Sequence, residues 1–180
     1  MENLFKVAPK KLSQVHLNNS GSEAIEAGMK FARKFTGKTE MVAMNGSYHG
    51  KSMGALSLTF NPKYRKSFQP LVEKVSFSPF GNIESLRSTI DDDTAFIILE
   101  PIQGESGIHV APDGFLQDVR KLCDENEILL IFDEIQSGLG RTGRMWASDH
   151  WNTAPDILCI AKGIAGGVPM GVTMVRPDIL

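Results

Sequence analysis

The sequence predicts an α/β fold of three layers, with helices on both faces of a mostly parallel sheet. Three observations carry that prediction. Residues 94–99 (TAFIIL), 128–132 (ILLIF) and 157–161 (ILCIA) are apolar from end to end, as strands buried on both faces must be. Amphipathic helical patterns separate such runs, the alternation expected of a sheet covered on both sides. Each run also closes on a charged residue: Glu100, Asp133 and Lys162. Ligands of open α/β sheets bind beyond the carboxyl ends of the strands, so these three charges are expected to gather along one edge.

Each element follows from a local pattern. From Ser22 to Phe35, apolar side chains at Ala24, Ile25, Phe31, Ala32 and Phe35 keep a helical period, and Gly37 is placed to stop it. Met41 to Met44 and Val75 to Phe77 read as short strands. Asn82 is a candidate N-cap for a helix through Ile90. A second amphipathic helix runs from about Asp113 to Glu125, with Phe115, Val119, Leu122 and Cys123 on one face. Gly171 to Val175 is the last strand candidate. With no repeat, low-complexity tract or linker, residues 1–180 read as a single domain.

Composition removes several classes of function. The 42% hydrophobic and 22% charged content is that of a globular protein. A formal net charge of -2 leaves no basic footprint for nucleic acid or an anionic membrane. Met1 to Leu12 mixes charged and apolar residues and has no signal-peptide core. No apolar run nears the roughly 20 residues needed to span a bilayer, so a soluble cytoplasmic protein is expected. Cys123 and Cys159 form no C-x-x-C pair and read as buried free thiols. His16, His49, His109 and His150 lack zinc spacing, and no metal site is assigned.

The candidates for chemistry lie where the strands end. Lys162 follows a buried strand and precedes a glycine-rich turn with Gly166 and Gly167. Partial loss of hydration there would favour the neutral, nucleophilic amine; the alternative is a solvated lysine opening a loop. Asp133 begins DEIQSGLGRTG, where a carboxylate suits a protonated ring nitrogen; the alternatives are a helix cap or a nucleotide-binding aspartate. Gln136 reaches the same pocket if the segment turns. In NNSGSEA (Asn18 to Ala24), Ser20, Gly21 and Ser22 precede a helix whose free amides and positive end can hold a phosphate. Tyr48 stands in GSYHG, where flanking glycines let an aromatic lie against a planar ring. EPIQGESG (Glu100 to Gly107) puts two carboxylates on the loop after a buried strand.

Taken in this order, NNSGSEA, GSYHG, EPIQGESG, DEIQSGLGRTG and PDILCIAKGIAGG resemble the class III (ornithine and 4-aminobutyrate type) pyridoxal-phosphate aminotransferases of fold type I. The resemblance covers nearly the whole chain. It implies that Gly21 and Ser22 hold the cofactor phosphate and that Tyr48 stacks on the pyridine ring with His49 nearby. It also implies that Asp133 pairs with the pyridine N–H, Gln136 approaches the phenolic oxygen and Lys162 carries the cofactor as a Schiff base. Glu105 resembles the carboxylate that pairs with a switchable arginine and helps admit two kinds of substrate, with Glu100 supporting that loop. The implied reaction moves an amino group to a 2-oxo acid, 2-oxoglutarate. The wording of the motifs is closest to enzymes whose donor is the terminal amine of ornithine, acetylornithine or a related lysine derivative.

Full members of that family are longer. A preceding segment, a C-terminal domain with a carboxylate-binding arginine, and a threonine lent by the second subunit of a homodimer are expected outside these residues. Two rival readings stand beside this one. Gly37-Lys38-Thr39 and Asp133-Glu134 suggest a nucleotide-dependent ATPase, but the P-loop spacing needs glycine where Ala32 stands. A catalytically silent protein of the pyridoxal-phosphate fold is the other.

Overall fold

The structure is a computed structural model that describes residues 2–180. In chain order the elements are α1 (Glu2–Val7), β1 (Gln14–Asn18), α2 (Gly21–Thr36), β2 (Glu40–Met44), α3 (Met53–Ser57), α4 (Pro62–Arg65), β3 (Val75–Ser78), α5 (Ile83–Thr89), β4 (Thr94–Leu99), β5 (Ile102–Gln103), β6 (His109–Val110), α6 (Phe115–Glu125), β7 (Leu129–Asp133), β8 (Ile157–Ile160) and β9 (Gly171–Val175). Short 3₁₀ turns cover Lys66–Phe68, Ala147–Trp151 and Lys162–Ala165.

Seven strands form one sheet in the order β1-β9-β8-β7-β4-β2-β3, and β5 and β6 make a separate two-stranded hairpin. From β8 to β3 every pairing is parallel, while β9 runs antiparallel to both β8 and β1. The sheet is thus mostly parallel, as the sequence predicted.

A period of two splits each central strand between two cores. Val42, Ile97, Leu99, Leu130, Phe132 and Leu158 point to the face covered by α5 and α6. Met41, Phe96, Ile98, Ile131, Ile157 and Cys159 point to the face covered by α2, where Ala24, Ile25, Met29 and Ala32 are buried. All six residues of β4 are buried, which is why that run carries no polar alternation. Full burial of one such side chain contributes about 1.5–3 kcal/mol.

Helix boundaries follow local chemistry. Ser20 caps α2, its Oγ accepting from the Glu23 amide at 3.2 Å, and Gly37 ends the helix in the left-handed conformation with its N–H on Arg33 O. Gly37-Lys38-Thr39 therefore closes a helix, whereas a P-loop opens one. Asn82 caps α5 as expected, accepting from Ser85 N at 2.9 Å. Helix α6 begins at Phe115, two residues later than its pattern suggests, because Gly114 takes a positive φ. The sequence pattern missed β1, an edge strand with its side chains largely outside the core. Among the described residues, no helix is long and apolar enough to cross a membrane.

Candidate active site

β8, β7 and β4 are consecutive in the sheet and run in the same direction, so the residues just beyond their carboxyl ends must converge. Glu100, Asp133 and Lys162 do converge, on a cavity of about 440 Å³ that also takes in the start of α2 and the turn after β2. That volume lies in the range of small-molecule and cofactor sites.

Asp133 is buried at the end of β7. Its Oδ1 accepts the Ile135 amide at 3.0 Å, and its Oδ2 lies 2.7 Å from His49 Nδ1. His49 is fixed through its own amide, which donates to Thr59 Oγ1 at 2.9 Å. The His49 ring is fully buried and its Nε2 has no hydrogen-bond partner among the described residues. A buried carboxyl group facing a cavity, oriented by a histidine behind it, can pair with an N–H group that enters.

The end of the cavity that can receive an anion is the first turn of α2. The amides of Gly21 and Ser22 precede the first intrahelical bond, from Ala24 N to Ser20 O, and so are free for a ligand. Glu23 is occupied elsewhere, its Oε2 accepting Asn19 N at 2.6 Å. Gly50 makes the approach feasible. Its φ is +136°, and a Cβ there would collide with the Ser22 hydroxyl. Ser22 Oγ accepts the Lys51 amide at 3.2 Å, which ties the two loops together.

Glu100 closes the β4 side. Although 5% exposed, it lines the cavity, and its two oxygens accept from Tyr48 N at 3.0 Å and Gly104 N at 3.4 Å. Burial pushes its carboxyl up to about 7; His49 opposes that rise and the Asp133 charge adds to it. A Cβ on Gly104 would sit 2.5 Å from the Gln136 amide carbon, so a side chain there would push the end of Gln136 aside.

Lys162 stands two residues beyond β8 with a left-handed φ of +50°. This conformation is rare outside glycine and is found at functional sites whose surroundings enforce it. The Lys162 side chain is exposed, so the loss of hydration expected at a strand mouth is not supplied by the described residues. Residues 162–165 form a 3₁₀ turn in which no residue is buried.

A sequence profile described as "Aminotransferase class-III" matches residues 1–180. The chain belongs to the class-III aminotransferase family. Among curated relatives of this aminotransferase chain, an acetylornithine aminotransferase from Methanopyrus kandleri is 49% identical over 98% of the chain and 45% of its own length. A [LysW]-aminoadipate semialdehyde/glutamate semialdehyde transaminase from Sulfolobus acidocaldarius is 48% identical over 99% and 46%. An ornithine aminotransferase from Toxoplasma gondii superposes with a TM-score of 0.89 at 34% identity, over 93% of this chain and 42% of that one. An (S)-enantioselective omega-transaminase from Thermomicrobium roseum gives 0.94 at 30%, over 98% and 46%. The chain thus spans under half the length of the curated relatives it matches.

Class-III aminotransferases are pyridoxal-phosphate enzymes, and the site fits that group. The free first-turn amides of α2 suit its phosphate, the buried Asp133 suits its ring nitrogen, and Lys162 lines the same cavity. The structure gathers Gly21, Ser22, Tyr48, His49, Asp133, Gln136 and Lys162 around one space.

Glu105 stands apart from that group. It is exposed in a neighbouring cavity of about 520 Å³ that shares Tyr48 as its wall. Its Oε1 accepts from Tyr64 Oη at 3.1 Å, and no arginine pairs with it among the described residues. Thr59, Gly104, Asn19, Val168 and Met170 were missed by sequence reasoning. They act through backbone placement or plain lining, and nothing in their local sequence marks them.

Proposed function

We propose that these residues are the cofactor-binding part of a pyridoxal-phosphate-dependent aminotransferase of the cytoplasm, homodimeric as a whole protein. Its amino donor is the terminal amine of ornithine, acetylornithine or a related lysine derivative, and its acceptor is a 2-oxo acid, 2-oxoglutarate. One observation carries the reading: Asp133, at the end of β7, and Lys162, two residues beyond the neighbouring parallel strand β8, line a single cavity. The acetylornithine and semialdehyde transaminases among its relatives support the donor class.

When bound, pyridoxal phosphate supplies an electron sink for the carbon that carries the amino group. The chain supplies the rest. Gly21 and Ser22 hold the phosphate at the positive end of α2. Asp133 would pair with the ring nitrogen, and His49, 2.7 Å behind it, orients that carboxyl group. Tyr48 offers an aromatic face and Gln136 an amide. Lys162 would hold the group through Nζ, and its amine would move the proton at the reacting carbon. Glu105, across Tyr48, selects among substrates.

The test is reduction with borohydride followed by peptide mapping of the whole protein loaded with pyridoxal phosphate. The reduced adduct is expected on the peptide holding Lys162 and absent from Lys162→Ala, together with glutamate formation from acetylornithine and 2-oxoglutarate. An adduct on another lysine, or one that survives in Lys162→Ala, overturns the assignment.

A further inference from the structure

We propose that Glu100 is a positioning residue of this site, a buried carboxyl that holds the turn bearing Tyr48 and the loop bearing Gly104 in register around the cofactor cavity. The proposal rests on the aminotransferase reading only for what fills the cavity.

Glu100 sits at the end of a fully buried strand, the most rigid place from which to hold two loops. One oxygen takes the amide of Tyr48, which leads directly into His49 and Gly50. The other takes the amide of Gly104, whose missing side chain makes room for Gln136. A second link runs in parallel: Gln103 Nε2 donates to Asn45 O at 2.9 Å, so the two segments already meet there. Glu100 is the link that faces the cavity. Two amides converge on this one buried carboxyl group, and charge assistance strengthens such bonds when it is ionised, the 3.0 Å bond from Tyr48 more than the 3.4 Å bond from Gly104.

The same arrangement makes the clamp sensitive to protonation. Ionised, both oxygens accept; protonated, one is committed as a donor and one amide loses a full acceptor. The longer Gly104 bond is the one expected to open. The ionisable groups around this carboxyl are His49 on the turn after β2, Asp133 at the end of β7, Lys162 beyond β8 and Glu105 farther along its own loop. Burial and Asp133 favour the protonated form while His49 opposes it, which places the change near neutral pH.

The test is hydrogen exchange of the whole protein loaded with pyridoxal phosphate, with protection factors corrected for the intrinsic effect of pH. In the wild type, protection across 101–108 is expected to rise about tenfold as pH increases through about 7, with β4 unchanged. Glu100→Gln copies the protonated carboxyl. Its protection should be flat with pH and equal to the low-pH wild type, its cofactor absorption should lose any transition near neutrality, and kcat should fall while the KM for the donor stays nearly constant. Borohydride should still trap the cofactor on Lys162 in this variant. A failure of trapping in both proteins would count against the functional reading, whereas the exchange data judge Glu100 separately. If Glu100→Gln does not fold, the wild-type profile decides: protection that ignores pH from 5 to 9 removes the proposal, as does an identical profile in the variant.

Discussion

Asp133 and His49 form a buried pair only 2.7 Å apart, with the carboxylate still open to the cavity. Asp133→Asn keeps the shape and removes the carboxylate proposed to pair with the nitrogen of a bound ring. On the order of a 100-fold loss of kcat/KM is expected from removing one preorganised electrostatic group, measured in the whole protein alongside its visible absorption. Two glycines give a contrasting pair. Gly50→Ala forces a side chain into a positive-φ site against the Ser22 hydroxyl, and should cost about 1–3 kcal/mol of stability as well as cofactor affinity. Gly104→Ala meets only the end of the flexible Gln136 side chain, so urea unfolding should change by less than about 1 kcal/mol while cofactor affinity falls. The site residues carried by motifs were legible in sequence because strand ends and a capped helix announce themselves. Glu105 was legible as a carboxylate but its place across Tyr48 was not, since its position depends on how a loop of eight residues folds. The exposure of Lys162 was likewise hidden, because the 3₁₀ turn after β8 has no signature beyond its glycines.

At the scale of elements, the site depends on where α2 begins. Ser20 satisfies the Glu23 amide, and the Ser20 carbonyl receives Ala24 N, so the first free amides fall on Gly21 and Ser22. Ser20→Ala is expected to lower stability by about 1 kcal/mol, read by urea unfolding. Its effect on cofactor affinity should be smaller than that of Ser22→Ala, whose hydroxyl lines the cavity. β9 presses on this same turn: a Cβ at Gly171 would collide with the Ser20 backbone, so this antiparallel strand, paired on both sides by β1 and β8, helps to fix the turn that opens α2. The central strands were readable because full burial leaves unbroken apolar runs, and α2 and α6 because one face of each is apolar. The direction of β9 was not readable, since periodicity fixes which face a side chain takes and says nothing of strand polarity. β1 was missed for the opposite reason to β4: an edge strand half in solvent carries too few apolar residues to stand out.

Across the whole molecule, the charge arrangement sets how stability responds to pH. Asp93 is held down to about 2 from its ordinary 3.8, chiefly by hydrogen bonds from Thr39 and Lys74. Its contribution is therefore present above 3.8 and is lost as pH falls toward 2. Glu100 behaves in the opposite sense. Its carboxyl rises from 4.5 to about 7, so between those values the folded protein keeps a proton that the unfolded chain has released. Stability must then fall as pH rises through that window, with a slope of at most about 1.4 kcal/mol per pH unit from this group. Burial raises Glu134 as well, although the amides of Ala147 and Ser148 oppose the shift, so it adds to the same slope. Glu100→Gln removes the larger contribution. Urea unfolding at pH 5 and pH 7 should therefore show the wild type losing a few kcal/mol more than the variant between the two. Equal losses would mean that the carboxyl ionises in the fold as readily as in the open chain. The tolerance of a buried acid at the cavity wall matters for the site itself, because the carboxyl that weakens the fold above neutrality is the same one whose charge secures the loops of Tyr48 and Gly104.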